Sequence, residues 1–198
     1  MIDAAVAALR AGRPVVLPTD TVYGLCAKAT PETVAEVSRL KERRERQPTA
    51  LLARDVEQLF KCVPELRARE AVVRALLPGP YTLILPNPGR RFPWLTGGTP
   101  DTIGVRVPKL PEQTAEILEA AGAVLATSAN RHGGPDPRRV EEIPEEIRAG
   151  CGAVVDAGEL PGTPSTVLDL TGEEPRIIRE GAVPTAEALA AAAGRLRE

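Results

Sequence analysis

The stretch VVLPTDTVYGLCAKA, Val15 to Ala29, decides how the first part of the fold is interpreted. Its apolar start, Val15 to Leu17, predicts a short buried strand. Such a strand usually leaves the core through small polar residues, but here two apolar segments enclose a polar tip, with Gly24 as a pivot. The hydrogen-bonding residues of this tip are Thr19, Asp20, Thr21 and Tyr23. Their position at the end of a buried strand raises the question of what they contact.

Composition indicates a soluble globular protein. The 198 residues are 43% hydrophobic and 26% charged, and no apolar run approaches the roughly 20 residues that cross a bilayer. The amino terminus has no basic start followed by an apolar run, so we expect no secretory signal and a cytoplasmic protein. The net charge of −2 does not favour a general nucleic-acid binder.

The cysteine and histidine content limits the possible chemistry. Cys26, Cys62 and Cys151 lie far apart without C-x-x-C spacing, which argues against a disulfide framework and a zinc site. His132 is the single histidine, so a multi-histidine metal site is excluded, and a histidine-based triad would have to use this residue. We therefore expect no metal site built from protein side chains.

Hydrophobic periodicity predicts alternating strands and helices, and hence an α/β fold. The predicted strands cover 15–17, 50–53, 81–85, 103–107, 123–126, 153–155, 166–170 and 176–179. The predicted helices cover 3–9, 30–41, 55–60, 65–77, 112–121, 140–148 and 185–196. The last two strands flank Gly172 and predict a hairpin. The length fits one domain, with or without a small appendage.

Polar residues gather where the predicted strands begin or end. PTDTVYG follows the first strand, TSANRHGG follows the strand at 123–126, Ser165 and Thr166 open the strand at 166–170, and Arg179 closes the last one. Each group alone is typical of turns and helix caps. Because ligands of open α/β sheets bind at strand ends, the combination predicts one cleft lined by segments that are distant in sequence.

The same segments carry cations. LKERRERQP, residues 40–48, contains a basic cluster that is also typical of a solvated helix end. Arg106 stands in IGVRV, where alternation allows either the exposed face of the sheet or the cleft. The sequence contains neither a Walker loop nor G-x-G-x-x-G. Side chains and strand-exit amides would therefore hold an anionic, hydroxyl-bearing or amino-acid-like ligand.

A set of motifs in a fixed order carries a resemblance to a known family. The motifs are PTDTVYGL, LKERRERQP, PGPYTLIL, IGVRVP, TSAN, STVLDL and IIREGA. From about Pro14 to Ala182 the chain resembles the YrdC-like threonylcarbamoyl-AMP synthases, in a short form with a single catalytic domain, here 1–198. The resemblance implies a twisted, open mixed sheet with flanking helices and a positively lined cleft.

The resemblance also implies a reaction. The expected enzyme is a nucleotidyltransferase that makes threonylcarbamoyl-AMP and diphosphate from L-threonine, bicarbonate and ATP with Mg²⁺. Its product serves the threonylcarbamoyladenosine modification of tRNA. The expected partners are these substrates, the downstream proteins that transfer threonylcarbamoyl to tRNA and, weakly, tRNA itself, with no membrane.

The family motifs assign roles to residues by position. Lys41 and Arg43 match a catalytic K-x-R pair. The expected ATP contacts are Lys41, Arg43, Gln47, Thr102, Ser128, Asn130, Asp136 and Arg179. The expected threonine contacts are Thr21, Arg106, Ala126 and Ser165, with Arg106 as the carboxylate clamp. The chain departs from the family pattern at Arg44, where proline is common, and at Leu52, where some members have histidine.

Other functions stay open at this point. The basic cluster and the concave cleft also fit a double-stranded RNA or tRNA-binding module, although the acidic pI of about 5.7 counts against it. A related carbamoyl- or acyl-adenylate enzyme would use the same cleft, as the corresponding modules of hydrogenase-maturation proteins do.

Overall fold

The computed structural model describes residues 1–43 and 47–196. Its strands are β1 (Val15–Pro18), β2 (Tyr23–Lys28), β3 (Ala50–Leu52), β4 (Tyr81–Pro86), β5 (Thr102–Arg106), β6 (Val124–Ser128), β7 (Ala153–Val154), β8 (Thr166–Asp169) and β9 (Arg176–Arg179). Its α-helices are α1 (Ile2–Arg10), α2 (Pro31–Leu40), α3 (Val56–Cys62), α4 (Glu70–Leu76), α5 (Glu112–Ala121), α6 (Glu145–Gly150) and α7 (Thr185–Ala192). None of the described helices has the length and apolar character needed to cross a membrane.

The opening stretch forms a β-hairpin. β1 and β2 pair antiparallel, with Val16 opposite Leu25 and Leu17 opposite Gly24. The sequence did not predict β2, because Gly24, Ala27 and their neighbours lack the β-branched enrichment that marks a strand. β2 is buried through Ala27 and also pairs with β6, so tertiary packing determines its conformation.

The strands join in one open sheet with the order β7-β1-β2-β6-β3-β5-β4-β8-β9. Pairing is parallel in β7–β1, β3–β5 and β4–β8, and antiparallel between the other neighbours. The predictions of an open mixed sheet with flanking helices, and of a late hairpin, are confirmed.

The predicted helices at 65–77 and 140–148 are both divided. The first contains the 3₁₀ helix Pro64–Arg69 followed by α4, because Arg69 leaves the helical region with φ −125° and ψ 25°. The second contains the 3₁₀ helix Val140–Glu142 and α6. Pro144 separates them, since a proline disfavours helical backbone at the residue before it, and Ile143 is accordingly extended.

The helices cover the two faces of the sheet unequally. α2, α3, α4, α6 and α7 pack on one face, where Leu83, Val105 and Leu125 belong to the larger core. α1 and α5 cover the other face beside β1, β2 and β6, through residues such as Leu9 and Ile117. Over β4 and β5 this second face forms a cleft instead.

Candidate active site

The open part of the second face forms the floor of a cleft of about 380 Å³. A volume of this size is usual for a small-molecule site. The floor includes Thr82, Gly104 and Arg106, whose neighbours along β4 and β5 point into the core. The cleft therefore extends from the predicted strand ends across the sheet.

Most of the predicted site residues come together here. The lining includes Thr102, Arg106, Ala126, Ser128, Asp136, Ser165 and Arg179. Of the others, Thr21, Lys41, Arg43 and Asn130 contact lining residues, whereas Gln47 contacts His132. Their individual contacts with a nucleotide or an amino acid stay predictions.

The polar tip of the first hairpin is connected to β5. Thr19 closes the turn, since its hydroxyl donates to the Val22 carbonyl at 2.7 Å and accepts the Val22 N–H at 3.3 Å. Asp20 and Thr21 both accept from the Arg106 guanidinium at 3.1 Å. The tip therefore supports a cleft residue that lies far away in sequence.

Tyr23 fixes the connection between β7 and β8. Its hydroxyl lies 2.9 Å from Asp156 Oδ1 and 2.7 Å from the Gly158 carbonyl, and it accepts the N–H of Ala157 at 3.0 Å. Burial raises the pKa of Tyr23 to about 12. The same connection leads along the chain to Ser165, which lines the cleft.

Arg106 is a buried cation of the cleft. Alternation left its direction open, and the structure places its side chain on the cleft face with 12% exposed. Its Nε–H has no acceptor among residues 1–43 and 47–196. Burial lowers the pKa of Arg106, whereas the Asp20 carboxylate opposes that change. Its Nη1 also has no acceptor among these residues and is not enclosed as Nε is, so the guanidinium is suited to bind a further anion.

Thr82 and Ser165 form a hydroxyl pair in the cleft. Their side-chain oxygens lie 2.8 Å apart, and Arg179 donates to the Ser165 carbonyl at 2.8 Å. Sequence reasoning missed Thr82, although strand alternation could have found it. Thr82 lies between the buried residues Tyr81 and Leu83 in PGPYTLIL, so its side chain had to point away from the core.

Lys41 connects α2 to the TSAN loop. Its ammonium donates to the Ser128 carbonyl, to the Asn130 carbonyl at 2.6 Å and to the Asn130 side-chain oxygen at 2.9 Å. Ser128 donates to the same side-chain oxygen at 2.7 Å, and Asn130 donates to the Gly134 carbonyl at 2.6 Å. Because an ammonium has three N–H donors, these acceptors use all of them. Lys41 therefore fixes the S-x-N motif through hydrogen bonds to both of its polar residues.

Lys41 and Arg43 give this part of the site its positive charge. Burial lowers the pKa of Lys41 to about 8, repulsion from Arg43 acts in the same direction, and Asp136 opposes it. Arg43 donates to the Thr49 hydroxyl, and its Nε–H has no acceptor within the described ranges. Burial also lowers the pKa of Arg43. Two neighbouring cations bonded to neutral oxygens suit an anionic ligand.

Gln47 and Thr102 are less closely tied to these groups. Gln47 Nε2 lies 3.3 Å from His132 Nε2, and Thr102 donates to the Thr99 carbonyl at 3.2 Å. Arg44, with the rest of the basic cluster through 46, lies outside the described residues.

Leu52, at the position where some family members have histidine, is a core residue. Leu52 is 1% exposed and packs in the core beside α1 and α5, so its side chain belongs to that core. In the part of the chain that the structure describes, no group of three His, Cys, Asp or Glu side chains could hold a metal ion.

Comparison with known proteins decides the family. A family model for the Sua5/YciO/YrdC proteins, described as telomere recombination, matches residues 7–181. The chain belongs to this family. The YrdC-like resemblance carried by the motifs is therefore confirmed.

Relatives in this family carry the name threonylcarbamoyl-AMP synthase. That of Halorhodospira halophila is 37% identical over 182 residues, which are 89% of this chain and 88% of the relative. That of Pyrococcus abyssi is 34% identical over 183 residues, which are 90% of this chain and 53% of the relative. The chain thus spans about half the length of the P. abyssi protein.

Solved structures of the family share the fold. P. abyssi Sua5 complexed with L-threonine superposes with a TM-score of 0.84 at 32% identity, covering 96% of this chain and 56% of that one. Escherichia coli YciO superposes with a TM-score of 0.78 at 28% identity, covering 95% of this chain and 92% of that one.

Proposed function

We propose that this protein is an L-threonylcarbamoyladenylate synthase, a nucleotidyltransferase that joins L-threonine, bicarbonate and ATP. The observation that carries the proposal is the pairing of two buried cation groups around one cleft. Arg106 with Thr21 suits a small carboxylate, and Lys41 with Arg43 suits phosphates. Relatives named threonylcarbamoyl-AMP synthase, and a relative solved with L-threonine, support the choice.

The threonine site is proposed around Arg106. Its Nη1 has no hydrogen-bond partner within the described residues and is not enclosed as Nε is, so a carboxylate can accept from it in a charge-assisted hydrogen bond. The hydroxyls of Thr82 and Ser165 offer partners for the polar part of an amino acid. Ala126 leaves room between β6 and the opposite wall because its side chain is small.

The nucleotide site is proposed around the TSAN loop. Ser128, Asp136, Thr102 and Arg179 line the cleft, and Lys41 with Arg43 supplies positive charge next to it. Asn130 and Lys41 hold the loop through hydrogen bonds to each other, and Gln47 stays a prediction for the outer edge. Mg²⁺ would arrive with ATP and neutralise phosphate charge.

The chemistry follows from this arrangement. Threonine's amine and bicarbonate give a carbamate and water, and the carbamate oxygen then forms a bond to the α-phosphorus while the bond to diphosphate breaks. Because the carbamate is already an anion, the protein has to position it and neutralise charge, and needs no strong base at that step. Lys41, Arg43 and Arg179 are the proposed sources of that charge.

A diphosphate-release assay tests this function. We expect release only when ATP, L-threonine and bicarbonate are all present with Mg²⁺. Omission of each component in turn provides the controls, and L-serine and L-alanine replace threonine in parallel reactions. A small apolar pocket separates such analogues by about 1–3 kcal/mol per methylene, so slow turnover of serine fits the proposal. Equal release with alanine, or without an amino acid, would refute it.

A related carbamoyl- or acyl-adenylate enzyme is the second candidate. A HypF chain in its phosphate- and nucleotide-bound form superposes with a TM-score of 0.70 at 25% identity, covering 29% of that chain. Diphosphate release from ATP that does not need threonine would favour this candidate. Binding of tRNA and of downstream transfer proteins stays a prediction, as does the assignment of 1–198 to a single catalytic domain.

A further inference from the structure

Asp20 is the acidic residue of the first hairpin, and the proposed reaction does not use it. Its Oδ1 accepts from Arg106 at 3.1 Å, and its Oδ2 accepts the backbone N–H of Lys109 at 3.1 Å. Both partners lie far from it in sequence, at the end of β5 and in the segment that follows. The carboxylate thus connects the tip of the first hairpin to the end of β5.

The ion pair between Asp20 and Arg106 is enclosed. The exposed fractions of the two side chains are 11% and 12%. Asp20 is outside the lining of the cleft, whereas Arg106 is part of it. Asp20 therefore contacts Arg106 from outside the cleft lining. The guanidinium nitrogen that it contacts, Nη2, also donates to Thr21. This leaves Arg106 Nη1, which is not enclosed as Nε is, without an acceptor among the described residues.

We propose that Asp20 is a positioning residue, which fixes the Arg106 guanidinium so that its free donors face the carboxylate of the amino-acid substrate. The inference rests on the proposed function, because it assigns threonine to the Arg106 side of the cleft. A long arginine side chain loses considerable conformational freedom when it is fixed, and a partner that fixes it beforehand reduces that cost on binding.

Asp20→Asn tests the charge with little change in shape. An amide has one acceptor oxygen, so it serves either Arg106 or the Lys109 N–H, and its NH₂ group cannot accept from the other. Asp20→Glu restores the carboxylate. Neither variant changes any other residue of the turn. Together they therefore separate the effect of the negative charge from that of the turn itself.

Asp169 offers a matched control elsewhere in the fold. It also accepts from one arginine, Arg176, at 2.6 Å and from one backbone N–H, that of Thr171, at 3.0 Å. Its side chain is 12% exposed, nearly as buried as Asp20, but Arg176 is 68% exposed and neither residue lines the cleft. Asp169→Asn thus removes a similar carboxylate away from the site.

Calorimetric titration measures the effect with L-threonine, L-threonine amide and a non-hydrolysable ATP analogue. We expect Asp20→Asn to raise the dissociation constant of L-threonine by about tenfold or more, as loss of a charge-assisted contact predicts. The preference for L-threonine over its amide should fall, because the amide lacks the carboxylate. Affinity for the ATP analogue should stay within about threefold. Asp20→Glu should recover most of the affinity, and Asp169→Asn should match the wild type.

Several outcomes would overturn the inference. Unchanged or tighter L-threonine binding by Asp20→Asn would show that Asp20 does not position Arg106, or that it weakens the cation's attraction. Equal losses for threonine and the ATP analogue would indicate a general structural role. If the wild type itself bound no threonine, the proposed function would fail instead, so the two failures are distinguishable.

Discussion

Two buried cations of the site are held in different ways. Arg106 is paired with a carboxylate, that of Asp20, whereas the Lys41 ammonium bonds to the neutral oxygens of Ser128 and Asn130. The pair at Arg106 is formally neutral and keeps a donor, Nη1, that no described residue uses. Lys41 keeps its charge but has used its donors.

The difference separates two ways of binding an anion. A fixed guanidinium with a free N–H gives direction, which suits a small carboxylate that must be oriented. An ammonium buried among carbonyl groups creates a positive potential around it and fixes the conformation of a loop. This arrangement suits a polyphosphate that contacts the loop. The predictions that follow are ordered from the largest expected effect to the smallest.

The largest effect concerns the dependence of stability on pH at Lys41. Its pKa is about 8 in the folded protein and 10.5 ordinarily, so between these values the unfolded chain binds the extra proton. Stability from this residue therefore rises with pH through that window, by about 3 kcal/mol in total. We expect the free energy of unfolding of the wild type to rise relative to Lys41→Met from pH 8 to 10.5.

Urea unfolding followed by the fluorescence of the single tryptophan, Trp94, measures this difference. The comparison with Lys41→Met is required because Tyr23, Cys26 and Cys151 also have pKa values raised to about 12, which destabilise the fold at high pH in both proteins. If the free energies of unfolding of the two proteins changed in parallel with pH, the lowered pKa of Lys41 would be refuted.

The next largest effect is the loss of threonine binding on removal of the Arg106 side chain. Arg106→Ala should cost about 2–3 kcal/mol of threonine affinity, because a charge-assisted contact in a partly dry cleft is lost. The Michaelis constant for threonine at saturating ATP reports this change. Arg176→Ala, which removes the exposed arginine that pairs with Asp169, is the control, and an equal effect there would contradict the assignment.

A smaller effect is the coupling between Lys41 and Asn130. Lys41→Met and Asn130→Ala each remove the hydrogen bond between Lys41 Nζ and Asn130 Oδ1, so the double variant should be less destabilised than the sum by about 1 kcal/mol. Urea unfolding of the four proteins in the cycle measures the coupling. Lys41→Met combined with Asp169→Asn should be additive, since Asp169 bonds to Thr171 and Arg176. Additivity in both cycles would show that Lys41 and Asn130 do not stabilise the TSAN loop together.

The smallest effect concerns the hydroxyl pair of Thr82 and Ser165. Thr82→Val keeps the shape and removes one neutral hydrogen bond, so threonine affinity should fall by about 0.5–1 kcal/mol. Titration with threonine and with the ATP analogue measures it, alongside Thr102→Val on the predicted nucleotide side. If Thr102→Val weakened threonine binding more than Thr82→Val did, the division of the cleft would be wrong.

Much of the fold could be predicted because strand and helix periods are local properties of the sequence. The α/β pattern and the late hairpin were predicted in this way, whereas the open mixed sheet was implied by the family resemblance that the ordered motifs carry. β2 was not predicted, because its residues YGLCAK include no β-branched side chain and its conformation depends on pairing with β1 and β6.

The organisation of the site was less accessible from sequence. The acid in PTDTVYG could not be assigned, because its partners Arg106 and Lys109 are close only after folding. Lys41 was expected at phosphates on the basis of its motif alone. Two of its acceptors are backbone carbonyls of Ser128 and Asn130, and the residue type does not reveal where a backbone carbonyl will point.

The most direct test is calorimetric titration of Arg106→Ala and Lys41→Met with two ligands, L-threonine and a non-hydrolysable ATP analogue. The account predicts crossed selectivity. Arg106→Ala should lose about 30-fold or more in threonine affinity and keep the ATP analogue within about threefold, and Lys41→Met should lose more affinity for the ATP analogue than for threonine. Unchanged threonine binding by Arg106→Ala, or equal losses of both ligands in both variants, would contradict it.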